Sequence, residues 1–297
     1  MKFELKAVKE IPDFCQKTRE RDAQAVFHTE EEFPGVEMRL VDWPTCLGET
    51  EVAIYRPKGS KQALPALLYL HGGGWTTCNL KFLDDICRLI VQNTGFCVVS
   101  PEFHRAPENP FPGLFYECYD VARYLYDHSK ELAVIQDQIA VGGDSAGGNL
   151  AAAICIKTVE DGLALFRSHM LYYPATDLTR TAVDRRSPDP NPRDDPRFMA
   201  WAVEAYAGSH DRRDPLISPL FLTPETAKKM PPLLLVTSYL DGLCEEGEEY
   251  ALKLQKNGVE VTMRRQINGT HGTLNRKNWG YEETMALTYR YLKSIFM

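Results

Sequence analysis

The sequence predicts an α/β fold, a mostly parallel sheet covered by helices on both faces. Two observations carry that expectation. Short apolar runs of strand length, at 66–70, 96–100, 138–141, 170–173, 233–238 and 259–264, alternate with helical stretches at 82–93, 114–129, 146–160, 243–257 and 279–296. Such alternation builds a parallel sheet, because each crossover lays a helix on one of its faces. Composition is the second: 297 residues with 44% hydrophobic and 25% charged side chains suit a large domain that buries a substantial core.

In chain order, the first 35 residues are polar, acidic and weakly periodic. Extended segments at 36–43 and 50–56 follow, separated by Pro44 and Gly48; they read as a hairpin at a sheet edge and bring the strands to eight. The helix over 243–257 shows the local logic. Glu245, Glu246, Glu248 and Glu249 crowd its first turns and Lys253 and Lys256 its last, complementing the helix dipole, and Gly258 follows as a stop. The alternation fails once. Between Pro174 and Pro231 no strand is predicted, and 187–196 holds four prolines ahead of a helix around Trp201 and Tyr206 that ends near Gly208. An insertion of that size between two strands suits a lid over a site, and the N-terminal segment could pack with it. The expected division is an N-terminal cap segment at 1–35, a core at 36–174 and 216–297, and a cap insertion at 175–215.

The charge balance narrows the function classes. Thirty-four Lys and Arg against 41 Asp and Glu leave a net charge of −7, with no basic block of the kind that grips nucleic acid or an acidic membrane, so neither is an expected partner. The apolar runs are strand-sized rather than bilayer-sized. Residues 1–10 alternate Lys, Glu and apolar side chains without the apolar stretch of a secretory signal, which sets a cytoplasmic expectation. The eight cysteines are scattered singly, without metal spacing, and read as reduced core residues.

The chemistry is concentrated in two motifs. Gly143-Asp144-Ser145-Ala146-Gly147 lies between an apolar strand and an Ala-rich helix. A strand turning sharply into a helix holds the serine at a strained backbone angle, and flanking side chains larger than hydrogen would collide there. The alternative, a Gly-rich phosphate cradle, lacks both the terminal Lys-Ser/Thr of a P-loop and a dinucleotide register. Upstream, the strand at 67–70 runs into His71-Gly72-Gly73-Gly74-Trp75. Three glycines are costly to order; here they would let the Gly73 and Gly74 N–H groups, with that of Ala146, point at a developing oxyanion.

Both motifs resemble those of the α/β-hydrolase superfamily, and more narrowly of hormone-sensitive-lipase-like carboxylesterases. Arg105-Ala106-Pro107-Glu108-Asn109-Pro110-Phe111-Pro112 is similar to that family's segment after the fourth strand. The resemblance covers residue 66 to the C-terminus. It implies an α/β-hydrolase fold with an eight-stranded sheet, a catalytic triad in chain order Ser, Asp, His, and a cap built from the N-terminus and the insertion after the sixth strand.

Asp241 follows the strand at 233–238 and would stand at the carboxyl edge of the sheet, where catalytic groups gather. It could instead cap the next helix, with Glu245 as the orienting acid. The family's usual Asp-Pro-Leu is Asp241-Gly242-Leu243 here. Asp144, next to the serine, reads as a brace for its loop, and Asp214 as structural. Of seven histidines, His271 lies in the Gly-flanked loop before the last helix, where the family keeps its base, although His-Gly-Phe is commoner there than His271-Gly272-Thr273. His71 reads as a scaffold hydrogen-bonder; His28 and His210 fall in the cap, and His104, His128 and His169 have surface or packing roles. Glu102-Phe103-His104-Arg105 stands where relatives show Asp-Tyr-Arg-Leu. Met199, Trp201 and Tyr206 are candidates for the acyl pocket or for lid packing.

The resulting expectation is hydrolysis of short-chain acyl esters by Ser145, Asp241 and His271, with Gly73, Gly74 and Ala146 as oxyanion donors. No metal or organic cofactor is expected; the partner is a small-molecule ester, with a homo-oligomer left open. Deacetylation or release of a cinnamoyl group would use the same triad. A non-catalytic receptor on this fold, like the gibberellin receptors, would lack a complete one, and labelling by a fluorophosphonate separates the two.

Overall fold

A computed structural model describes residues 11–181, 183–185, 187–189 and 196–296. Residues 1–10 of the expected N-terminal cap and 190–195 of the proline-rich stretch lie outside them. The elements run α1 (Asp13–Ala23), β1 (Val36–Thr45), β2 (Gly48–Pro57), β3 (Leu64–Leu70), α2 (Asp84–Thr94), β4 (Cys97–Pro101), α3 (Gly113–Asp127), β5 (Val134–Asp144), α4 (Ala146–Glu160), β6 (Ser168–Tyr172), α5 (Pro196–Ala207), α6 (Pro224–Ala227), β7 (Leu233–Ser238), α7 (Cys244–Lys256), β8 (Val261–Gln266), α8 (Thr273–Arg276) and α9 (Tyr281–Phe296).

The eight strands form one sheet in the order β1-β2-β4-β3-β5-β6-β7-β8. β1, β2 and β4 pair antiparallel, and every pairing from β4 through β3 to β8 is parallel. The central strands are buried on both faces, so successive side chains feed two cores. Leu68, Leu70, Val141, Leu171 and Leu235 point into one core with residues of α3, α4 and α7. Leu67, Tyr69, Ala140, Met170 and Leu234 point into the other with residues of α2 and α9. The period-two alternation of a strand is thus visible residue by residue.

The expected fold class holds, with local corrections. Pro44 lies inside β1, opposite Glu49, rather than between the strands; an edge strand tolerates a proline because its outward N–H needs no partner. α2 begins at Asp84, after a single 3-10 turn at Leu80–Leu83. The weakly periodic N-terminal stretch contains the helix α1, whose place is fixed by tertiary bonds: Arg19 donates to the carbonyls of Thr76 and Ala106 at 2.7 Å each, and the Cys78 N–H donates to Asp22 Oδ2 at 2.9 Å. No strand occurs among the described residues between Pro174 and Pro231. Of the eight cysteines, all unbridged, seven are buried and Cys46 is exposed. No described helix is long and apolar enough to cross a membrane.

Candidate active site

β5 ends at Asp144 and α4 begins at Ala146, so Ser145 alone makes the turn, at φ 53° and ψ −117°. A non-glycine residue is held in that region only where its surroundings leave no alternative. They do so here by backbone packing: a Cβ on Gly147 would sit 2.0 Å from the Leu70 carbonyl oxygen, and one on Gly143 would sit 2.5 Å from the same atom. The two glycines let β5 and α4 close onto the end of β3. Ala146 heads α4, where the first N–H groups have no helical acceptor.

The loop after β3 runs alongside. Gly73 has φ 110°, and a Cβ there would meet the Thr77 carbonyl oxygen at 2.3 Å, so only glycine fits. Asp144 braces this loop as its sequence position suggested: its Oδ1 accepts from the Gly72 N–H at 2.9 Å, and its Oδ2 is buried without a partner. Burial raises its pKa to about 6. His71 is buried and stacks on Phe103 with ring centroids 4.2 Å apart. Its Nδ1 lies 2.8 Å from the Gly72 carbonyl oxygen, and burial lowers its pKa to about 4, so the ring is a neutral scaffold.

The other half of the site comes from the loops after β7 and β8. Hydrogen bonds tie them together, Tyr239 N–H to the Gln266 carbonyl and Leu240 N–H to the Gly269 carbonyl, both at 2.9 Å. Asp241 is buried; its Oδ1 accepts from the Leu243 N–H at 2.9 Å and its Oδ2 lies 2.7 Å from His271 Nδ1. The carboxylate therefore both shapes its own turn and faces the imidazole. Glu245, the alternative acid, has an 82% exposed side chain and lies 3.8 Å from Arg180. His271 Nε2 is 3.0 Å from Ser145 Oγ. With the Nδ1 proton directed at Asp241, Nε2 is an acceptor facing the hydroxyl. Thr273, at the position where relatives more often have phenylalanine, donates to the Thr270 carbonyl at 3.0 Å and meets Ser238 Oγ at 3.1 Å, which secures the histidine loop.

Gly73, Gly74, Ser145, Asp241 and His271 line one cavity of about 640 Å³. Met199 lines it too, but Trp201 and Tyr206 do not. Tyr206 is buried and stacks on Trp75 with centroids 4.6 Å apart, and Trp201 meets Phe14 edge-on. Both rings pack against neighbouring aromatic side chains rather than face the cavity. Sequence reasoning missed Phe14, Phe198, Arg185 and Asn275, which also line the cavity. One signal existed. Gly242 replaces the family's proline, and a Cβ there would lie 2.2 Å from the carbonyl oxygen of Arg185, so the insertion presses directly on the Asp241 turn. Arg185 is held there by buried Glu246, its Nε donating to Oε2 at 2.9 Å. Glu102, the other departure, accepts from the Leu80 N–H at 2.7 Å. Asp214 caps its own turn through the Leu216 N–H. Among the described residues, no group of three or more His, Cys, Asp or Glu side chains could hold a metal ion.

The chain matches the family model of the α/β-hydrolase fold over residues 67–275. It belongs to that family. This α/β hydrolase is 33% identical to a carboxylic ester hydrolase of Mycobacterium tuberculosis, over 73% of its own length and 58% of that protein's. It thus spans about three-fifths of the mycobacterial relative. It is 32% identical to an ethyl acetate hydrolase of Pseudomonas putida, with 70% of this chain and 66% of that one covered. Among solved structures, it superposes on the hyperthermophilic esterase of the archaeon Pyrobaculum calidifontis with a TM-score of 0.84, at 30% identity, covering 95% of this chain and 93% of that one.

Proposed function

We propose that this α/β hydrolase is a serine carboxylesterase acting on esters of short acyl chains. The reading rests on one observation: a chain of contacts from Ser145 Oγ to His271 Nε2 at 3.0 Å and from His271 Nδ1 to Asp241 Oδ2 at 2.7 Å, opening onto a cavity. His271 takes the hydroxyl proton as Ser145 attacks the ester carbonyl, and Asp241 holds the tautomer and stabilises the imidazolium. The N–H groups of Gly73, Gly74 and Ala146 receive the oxyanion, each such donor being worth about 2.7–4 kcal/mol of barrier. His271 returns the proton to the departing alcohol, and water repeats the sequence to release the acid. Side chains and backbone amides carry every step.

In this reading residues 1–35 and 175–215 form a cap over a core at 36–174 and 216–297. The edge-on ring contact of Phe14 with Phe198, centroids 5.9 Å apart, supports joining the two cap segments. The partner is a small-molecule ester and the setting cytoplasmic. The mycobacterial and Pseudomonas relatives, by their names, support ester hydrolysis, the second with a two-carbon acyl group.

The test is hydrolysis of p-nitrophenyl esters from acetate to palmitate, with Ser145→Ala in parallel. Turnover concentrated on the short esters, with a loss on the order of 10⁶ in kcat in the variant, is the expected result. A folded wild type that is inert, or a variant as active as wild type, overturns the proposal.

A further inference from the structure

The two sides of the cavity differ in chemistry, and the difference follows the line of the reaction. Beside the Gly73–Gly74 loop the wall is aromatic. The Phe198 ring lies against Gly74, where a Cβ would be 2.9 Å from its Cζ, and Phe14 packs edge-on against Phe198. Beside His271 the wall is polar. A Cβ on Gly272 would be 2.6 Å from Asn275 Oδ1 and 3.2 Å from Arg276 Nε, so both polar ends lie against the residue that follows the imidazole. Asn275 lines the cavity, yet its Oδ1 is buried without a hydrogen-bond partner. An acceptor left in that state has lost its hydration without a replacement bond, a loss that a bound donor would offset.

In ester hydrolysis the leaving oxygen must stand next to the imidazole that protonates it, while the carbonyl oxygen faces the glycine loop. As the C–O bond of the tetrahedral intermediate breaks, the alkoxide takes the proton from His271 Nε2, so the alcohol lies on the α8 side. We propose, on the basis of the serine-esterase reading, that Asn275 forms an alcohol-side subsite for polyhydroxylated alcohols, esters of a glycerol or a sugar. A free hydroxyl next to the ester donates to Asn275 Oδ1, and the acyl chain lies against Phe198 and Phe14.

The experiment compares kcat/KM for glycerol 1-monobutyrate and for butyl butyrate, which share an acyl group and differ in the alcohol's hydroxyls. Wild type should favour the glycerol ester by about tenfold or more, the equivalent of one well-placed hydrogen bond. Asn275→Leu should bring the ratio close to one, and Asn275→Asp, which keeps an acceptor, should retain part of it. Phe198→Ala should instead lower the preference for butyrate over acetate in both alcohol series. A wild-type ratio near one, or a ratio that survives Asn275→Leu, overturns the subsite; the wild-type ratio decides even if the leucine variant fails to fold. Ser145-dependent turnover of p-nitrophenyl butyrate, run alongside, separates the failures. If it is present while the ratio is near one, only the subsite falls. If it is absent, the esterase reading falls and the subsite with it.

Discussion

Ser145 stands at the centre of the sheet, on a turn whose flanking glycines are wedged against the backbone of β3. Asp241 and His271 stand on two loops toward the far edge, tied to each other by a few hydrogen bonds and pressed by the insertion at Arg185. One half of the site is held by close contact among backbones that have nowhere to move. The other is held by polar bonds between segments that could shift together. Apart from Ser145 itself, the serine half should therefore answer to mutation through stability, and the half built on Asp241 and His271 through rate.

The largest expected effect that sharpens this contrast is Asp241→Asn. It should lower kcat on the order of 10⁴-fold by favouring the wrong imidazole tautomer, with the unfolding midpoint nearly unchanged. A loss below tenfold would remove Asp241 from its proposed role. Gly147→Ala comes next. Alanine is a better helix former than glycine, yet its Cβ would sit 2.0 Å from the Leu70 carbonyl oxygen, so about 3 kcal/mol of stability should be lost in urea unfolding. A stabilised variant would show that the β3 end yields after all.

Asp144 tests the serine half by pH. Its pKa is raised to about 6 by burial, against an ordinary 3.8. The stability its neutral form provides is fully present below the unfolded value and is lost as pH rises through about 6, a change of roughly 3 kcal/mol. Asparagine stays neutral and keeps an oxygen for the Gly72 N–H. The stability of Asp144→Asn relative to wild type should accordingly rise between pH 4 and pH 7, and a difference that stays flat would refute this account. The smallest effect is expected for Gly242→Ala. The clash with the Arg185 carbonyl falls on an inserted loop, so stability should drop by about 1 kcal/mol while kcat/KM falls severalfold. A stability loss as large as that of Gly147→Ala would erase the distinction between the two halves.

The same distinction governs what could be read from the chain. The strand-to-helix turn at Ser145 is a local event, and so was visible as Gly143-Asp144-Ser145-Ala146-Gly147 between an apolar strand and an Ala-rich helix. Asp241 and His271 have no motif of comparable strength; strand order and family resemblance singled them out, and their 2.7 Å approach depends on β7 and β8 being neighbours. Asn275 and Phe198 were not legible, because nothing in a lone Asn or Phe tells which cavity it will face. α1 escaped notice for a related reason: its apolar periodicity is weak, and its position rests on bonds from Arg19 and Asp22 to residues more than fifty positions away.

By itself the sequence determined the α/β layering, the eight strands and the strained serine, since each follows from hydrophobic period, turn chemistry and steric limits acting over a few residues. Tertiary structure alone decided the rest: which acid faces His271, how the insertion bears on Gly242, and which side chains wall the cavity. Those are meetings between segments distant in the chain, and they are set by how helices and loops pack once the sheet has formed.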